Sequence, residues 1–199
     1  MKHCFGYPKH VREKIKEHIN KVISSIDPNR YDQESLYTTA LLSRLEGEIY
    51  NEYDFYIKII PTIINDRGKN SAESRSGADF SITAFISDGK KTVEKAILVQ
   101  AKMNESDLKS KTLIEQINKM KQLTKSPKVM VINPIKDKRN PYICSGNKVL
   151  NGEPYKKEKF ADYFTKRIIT TFDGDTREDF ITEIQNSDLP NLHLIVRGK

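Results

Sequence analysis

Asp79 stands at the start of the apolar stretch "ADFSITAFI", and Gln100 and Lys102 close the stretch "EKAILVQAK", residues 94–102. An amide and a cation at the end of so apolar a run need a reason. In a strand, side chains two apart point the same way, so Gln100 and Lys102 share one face while Val99 and Ala101 pack on the other. The Asp88-Gly89 dipeptide between the two stretches predicts a turn and therefore a hairpin, which carries Asp79 to Gln100 and Lys102. A carboxylate, an amide and an ammonium then meet at one end of two buried strands. A hard cation such as Mg²⁺ is held by one or two carboxylates together with carbonyl oxygens and water. Asp79, the Gln100 side-chain oxygen and the Ala101 main-chain carbonyl would form half of such a shell. Lys102 would be placed to orient a water and to stabilise charge on a phosphate oxygen.

The elements that must position these groups are read from periodicity. Val11, Ile15, Ile19, Val22 and Ile26 predict an amphipathic helix that ends at Asp27-Pro28. A second helix is expected over about 33–48, with Leu36, Ala40, Leu42, Leu45 and Ile49 facing the core and Asp32 as N-cap. "EYDFYIKIIPTII", residues 52–64, reads as a long strand in which Pro61 marks an edge or a bulge. After the hairpin, a third helix is expected over about 105–123 on Leu113, Ile117 and Met120, followed by a short buried strand, "KVMVIN". The order is helix, three strands, helix, strand, with "AILVQAK" in the centre of a sheet covered by helices. Residues 133–159 have the Pro, Gly and Asn density of an extended loop region, and a helix at "FADYFTKRII" and a last strand at "LHLIVR" follow.

At these residues the sequence resembles the PD-(D/E)XK nuclease superfamily, in the branch that carries QxK as Mrr-like restriction endonucleases do. The resemblance covers roughly residues 32–132. It implies an α/β fold: a restriction-endonuclease-like αβββαβ core, a mixed central sheet flanked by helices, with a C-terminal extension. In the family's pattern an acid on the first core helix joins the strand Asp and the (D/E/Q)xK tripeptide; here Glu34 in "QESLYTTALLSRLEGEI" is offered for it, with Glu46 and Glu48 as competitors. Ala78 replaces the Pro of the family's name, and Gln100 in place of Glu lowers the ligand charge. The pattern is also similar to a group of bacterial nucleases often linked to defence, in which a later helix carries a Gln followed by Lys-Met. Gln116 in "LIEQINKMKQL" would be that accessory residue. The implied activity is metal-dependent hydrolysis of DNA phosphodiester bonds in restriction or defence, with Mg²⁺, or Mn²⁺ as its substitute. The implied catalytic set is Asp79, Gln100, Lys102 and Glu34, with Asp79, Gln100 and Ala101 on the metal.

Composition agrees with such a protein without requiring it. The 199-residue chain suggests one domain, with the core at about 32–132, an N-terminal helix before it and a C-terminal elaboration over 133–199. No stretch approaches a membrane span, no secretory signal is visible, and the reading is a cytoplasmic protein whose Cys4 and Cys144 are free thiols. A net charge of +7 and a pI of about 9.2 are compatible with a polyanionic partner, DNA first and RNA second, and equally with an ordinary solvated surface. Gly68, Gly77 and Gly89 form no phosphate-cradling pattern, and His3, His10, His18 and His193 share no ligand spacing; His10 and His18 are expected on a solvated helix face. Acids in a first helical turn are favoured by the helix dipole alone, and Gln116 also reads as an exposed helical amide. Two other functions stay open: a catalytically silent nucleic-acid-binding module that kept the fold, and an interaction subunit of a defence complex. A homodimer or a regulatory partner is compatible with either.

Overall fold

In the computed structural model, the described residues are 7–52, 54–64, 68, 71–133, 141–170 and 172–198. Helix α1 (Lys9–Ser25) buries Val11, Ile15, Ile19, Val22 and Ile23, the stripe its spacing predicts. Helix α2 (Glu34–Arg44) leads into a hairpin of β1 (Gly47–Glu52) and β2 (Phe55–Thr62). A short helix α3 (Ala72–Ser76) precedes β3 (Phe80–Ser87), which pairs antiparallel with β4 (Thr92–Lys102). Helix α4 (Lys111–Leu123) crosses to β5 (Lys128–Val131), parallel to β4. The chain continues through β6 (Tyr142–Ser145), α5 (Gly146–Leu150), β7 (Glu158–Lys159) and α6 (Phe160–Tyr163), which runs on as a π-helical turn to Ile168. Helix α7 (Glu178–Gln185) and strand β8 (Asn191–Gly198) end it.

The protein is α/β, with one mixed eight-stranded sheet in the order β1-β2-β8-β3-β4-β5-β6-β7 and helices on both faces. One layer packs α1, α2 and α6 against Ile57, Ile59, Ile82, Val99 and Ala101; the other packs α4 and α7 against Ala96, Leu98, Val129 and Val131. Strand β4 is buried without a break from Lys95 to Lys102, as a strand covered on both faces must be. Among the described residues no helix is long and apolar enough to cross a membrane.

Several expectations need correction. The second helix is shorter than its pattern suggested: it is capped by Gln33 without a side-chain bond rather than by Asp32, and it turns a different stripe inward. Tyr37, Thr38, Leu41, Leu42 and Leu45 are buried, while Leu36 is 41% exposed and Ile49 belongs to β1. Spacing identifies a stripe but does not rank two overlapping ones, and packing on β2 and β4 selects the one carrying Tyr37. The region expected as an extended loop contributes β6, α5 and β7, and α7 was not foreseen. Strand β8 inserts between β2 and β3, antiparallel to the first and parallel to the second. Pro61 sits where β2 has outrun β1, whose pairing stops at Gly47 opposite Ile59, so its missing N–H costs no ladder bond on that side. Cys144 is a buried free thiol, and Cys4 and His3 lie outside the described residues. His18 is not a solvated ornament: its Nε2 meets the Leu45 carbonyl at 3.0 Å, tying α1 to the end of α2.

Candidate active site

Asp79 is set by a sharp entry into β3. Helix α3 ends at Gly77 in the left-handed region (φ 75°), and a Cβ there would stand 2.3 Å from the Gln116 carbonyl oxygen. Only glycine satisfies both the backbone angle and the close approach to α4. The Asp79 N–H then donates to the Val99 carbonyl (3.0 Å), so the residue joins the ladder just before the strand proper and its side chain stands beside the end of β4. Asp79 Oδ2 accepts from the Ala101 N–H (2.7 Å) and from Gln100 Nε2 (2.6 Å). Its other oxygen has no partner among the described residues, and the residue keeps an edge open to solvent.

Gln100 is fully buried, at 0% exposure. Its amide nitrogen is spent twice, on Asp79 and on the Ala101 carbonyl (3.1 Å), while its oxygen Oε1 has no partner. Turning the amide over does not repair this, because the oxygen would then face two other oxygens. In that turned orientation three oxygens would converge, an arrangement that a cation satisfies. Neighbouring oxygens around an ion bound at Mg²⁺ distances lie about 3 Å apart, which is the spacing found between the amide nitrogen and the Asp79 and Ala101 oxygens. The all-oxygen donor set suits a hard cation, and the residues present therefore fit the group. Among the described residues no three His, Cys, Asp or Glu side chains converge as a cation site.

Burial pushes the Asp79 carboxyl up to about 7. The Ala101 N–H works against this, the charge of Glu73 adds to it, Lys102 opposes it and Glu34 adds again. The carboxylate is thus under-compensated as it stands.

Lys102 lies at the very end of β4 and donates to Glu34 Oε2 at 2.9 Å, its side chain only 9% exposed. Glu34 Oε1 accepts from the Met103 N–H (3.1 Å). Glu34 opens α2 on the same stripe as Tyr37, Thr38 and Leu41, at i+3, i+4 and i+7, and so reaches the sheet instead of solvent. The structure brings Asp79, Gln100, Ala101, Lys102 and Glu34 to one place. Glu46 is exposed beyond the end of α2, and Glu48 bonds Asn51 within β1. Gln116 packs its backbone against Gly77 behind α3, and it does not line the cleft; its Oε1 is buried without a partner.

Asp79 opens onto two adjoining clefts of about 480 and 460 Å³, both of which also touch Gln33, Ser35 and Glu73. Among the described residues their charged lining is acidic: Asp32, Glu34, Glu73, Asp79, Asp107 and Asp188. Sequence reasoning missed Glu73, because no periodic pattern distinguishes a five-residue helix. It also missed a second buried polar cluster on the far side of β4. There Lys128 pairs with Asp173 (2.7 Å), which accepts from Tyr163 and Ser126, and Lys95 donates to the Ile168 and Asp173 carbonyls. Burial lowers Lys95 to about 7, against the pull of the Asp173 carboxylate. A lysine alternating with Ile97 and Val99 in a buried strand was the available signal for that cluster. Compared with known proteins, the chain matches no family model, no curated protein and no solved structure.

Proposed function

We propose that this chain is a metal-dependent endodeoxyribonuclease of the PD-(D/E)XK type, built on a restriction-endonuclease-like core. The observation that carries the reading is the buried Gln100 amide, whose nitrogen meets Asp79 and the Ala101 carbonyl while its oxygen has no partner, three residues that the sequence pattern had already singled out. An unsatisfied polar atom at such depth costs about 1–3 kcal/mol and asks for a function. Bound Mg²⁺ would supply charge against a phosphoryl oxygen and acidify water at neutral pH.

The protein's own groups would do the rest. Asp79, the Gln100 oxygen and the Ala101 carbonyl hold the cation, the amide turning over to present its oxygen. Lys102 keeps two N–H donors beyond its bond to Glu34, enough to orient a water and to hold a phosphate oxygen. Glu34 fixes Lys102 at the strand end through the Met103 N–H. The acidic cleft attracts cations and repels bare phosphate, so DNA approach and cation binding are coupled. Within this reading the chain acts in the cytoplasm, in restriction or defence, on DNA; RNA is the alternative substrate.

A second reading, a silent nucleic-acid-binding module, is favoured by one detail: the Gln100 amide already neutralises Asp79 as a donor. Supercoiled plasmid incubated with Mg²⁺ or Mn²⁺, and with EDTA as control, separates the two. Nicking or linearisation that needs the metal and vanishes in Asp79→Ala supports the nuclease. Binding without cleavage across both metals leaves the silent module.

A further inference from the structure

Strand β7 pairs with only two residues of β6, Tyr142 and Ile143, so Cys144 and Ser145 beyond them have no strand on that side. A cavity of about 170 Å³ stands there, and Lys128, Ser145, Tyr163, Arg167 and Asp173 are among the residues that line it. Lys128 opens β5 opposite Ser145, and Tyr163 and Arg167 stand four residues apart across the π-helical turn that extends α6, a spacing that brings both side chains to one place. The charges do not balance: Lys128, Lys148, Lys156 and Arg167 meet two carboxylates, Glu158 and Asp173. Both carboxylates are already engaged. Asp173 accepts from Lys128, Tyr163, Ser126 and the Gly174 N–H, and Glu158 accepts from Arg167 Nε at 3.0 Å.

We infer that this cavity is an anion site for a phosphate group, held by Lys128, the outer guanidinium nitrogens of Arg167 and the Ser145 hydroxyl. It shares no lining residue with the clefts at Asp79, and it does not depend on the nuclease reading. The buried ammonium carries the argument. The Lys128 side chain is 10% exposed and spends one N–H on Asp173, which leaves two donors with no acceptor among the described residues at a depth where water is scarce. Arg167 bonds Glu158 through Nε alone, and neither its two outer nitrogens nor the Ser145 hydroxyl has a partner among the described residues. Donors of this kind, with two positive charges in excess, suit a tetrahedral oxyanion, and the guanidinium fork matches two of its oxygens. The volume agrees. It lies below the roughly 300 Å³ at which sites for whole small molecules begin, so the fit is to a phosphate group and not to an enclosed nucleotide.

The test has two arms, both on the full chain. In the first, inorganic phosphate is titrated and followed by phosphorus nuclear magnetic resonance. Wild type is expected to bind it saturably, Arg167→Gln at least fivefold more weakly, and Ser145→Ala, which removes no charge, about threefold more weakly. Lys166→Gln removes the same charge as Arg167→Gln from the next residue, outside the cavity, and should change binding less than twofold. In the second arm, binding of a short DNA duplex in EDTA is measured against salt. A slope smaller by about one in Arg167→Gln, and unchanged in Lys166→Gln, identifies the ligand as a phosphate of the nucleic-acid backbone. Phosphate uptake with equal slopes, or with no DNA binding at all, identifies free phosphate. The inference is overturned if wild type takes up no phosphate and Arg167→Gln leaves the DNA slope unchanged, or if Lys166→Gln weakens binding in both arms as much as Arg167→Gln does.

Discussion

Asp79 and Asp173 flank the same strand, both are partly buried, and they titrate in opposite directions. For Asp173, burial works to raise the carboxyl, but Lys128, the Ser126 hydroxyl and the Gly174 N–H overcome it and hold the group below its ordinary value. For Asp79, burial wins, and the carboxyl rises to about 7. The difference lies in what faces each group. Asp173 has a dedicated ammonium at 2.7 Å, with Tyr163 and Ser126 completing its shell. Asp79 has one N–H, one amide and an open edge, while the nearest ammonium is committed to Glu34. A carboxylate saturated by its own chain is structural; one left short beside a cleft is the one the proposed reading assigns to a ligand.

The contrast can be broken from either side, and the largest effect is expected at the saturated site. Asp173→Ala leaves Lys128 buried without its partner and should cost about 3–5 kcal/mol in urea unfolding. Replacing both residues, Lys128→Met with Asp173→Leu, should recover most of that loss. A single variant as stable as wild type would remove the distinction between the two aspartates.

At the unsaturated site the loss should be of activity. Asp79→Ala and Lys102→Ala are each expected to lower plasmid cleavage in Mg²⁺ by about a hundredfold or more, with the cooperative unfolding transition kept, since the packing of β4 comes from Ile97, Val99 and Ala101. Cleavage at the wild-type rate by either variant means the site is elsewhere.

A smaller effect follows from the Asp79 titration. The folded protein holds this proton up to about pH 7, whereas the unfolded chain releases it near the ordinary carboxylate value. Between those limits the folded state binds more protons, so the contribution of Asp79 to stability is complete at acid pH and is lost as pH rises towards 7. Asp79→Asn keeps an acceptor for Gln100 and Ala101 and removes the charge. Metal-free, at pH 8, it should be more stable than wild type by about 1–3 kcal/mol, with a flatter dependence on pH between 5 and 8. Thermal melts across that range decide it, and a destabilised variant would show Asp79 to be a structural ion like Asp173.

The finest discrimination concerns Gln100. Gln100→Glu sets a second carboxylate beside Asp79 and should lower metal-free stability by about 1–2 kcal/mol at pH 8. Mg²⁺ should restore it, because the new oxygen serves the ion. Melting temperatures that fall equally with and without Mg²⁺ would make Gln100 a structural donor only.

Much of this was legible before any coordinates. Alternation along residues 94–102 put Gln100 and Lys102 on one face, and a hairpin at Asp88-Gly89 sufficed to carry Asp79 to them, because antiparallel partners at a strand end are neighbours by geometry. The stripe of α1 and the central position of β4 were equally local in origin. The rest depended on contacts far apart in the chain. The choice between two overlapping stripes on α2, and with it the inward turn of Glu34, was made by packing on the sheet. The insertion of β8 between β2 and β3 pairs residues more than a hundred positions apart, which no local pattern encodes. Most telling is the contrast between the aspartates. Residue type and spacing say that a carboxylate stands at a position, but only the tertiary structure decides whether an ammonium from another strand reaches it, and that decides whether its charge is satisfied within the fold or left short beside a cleft.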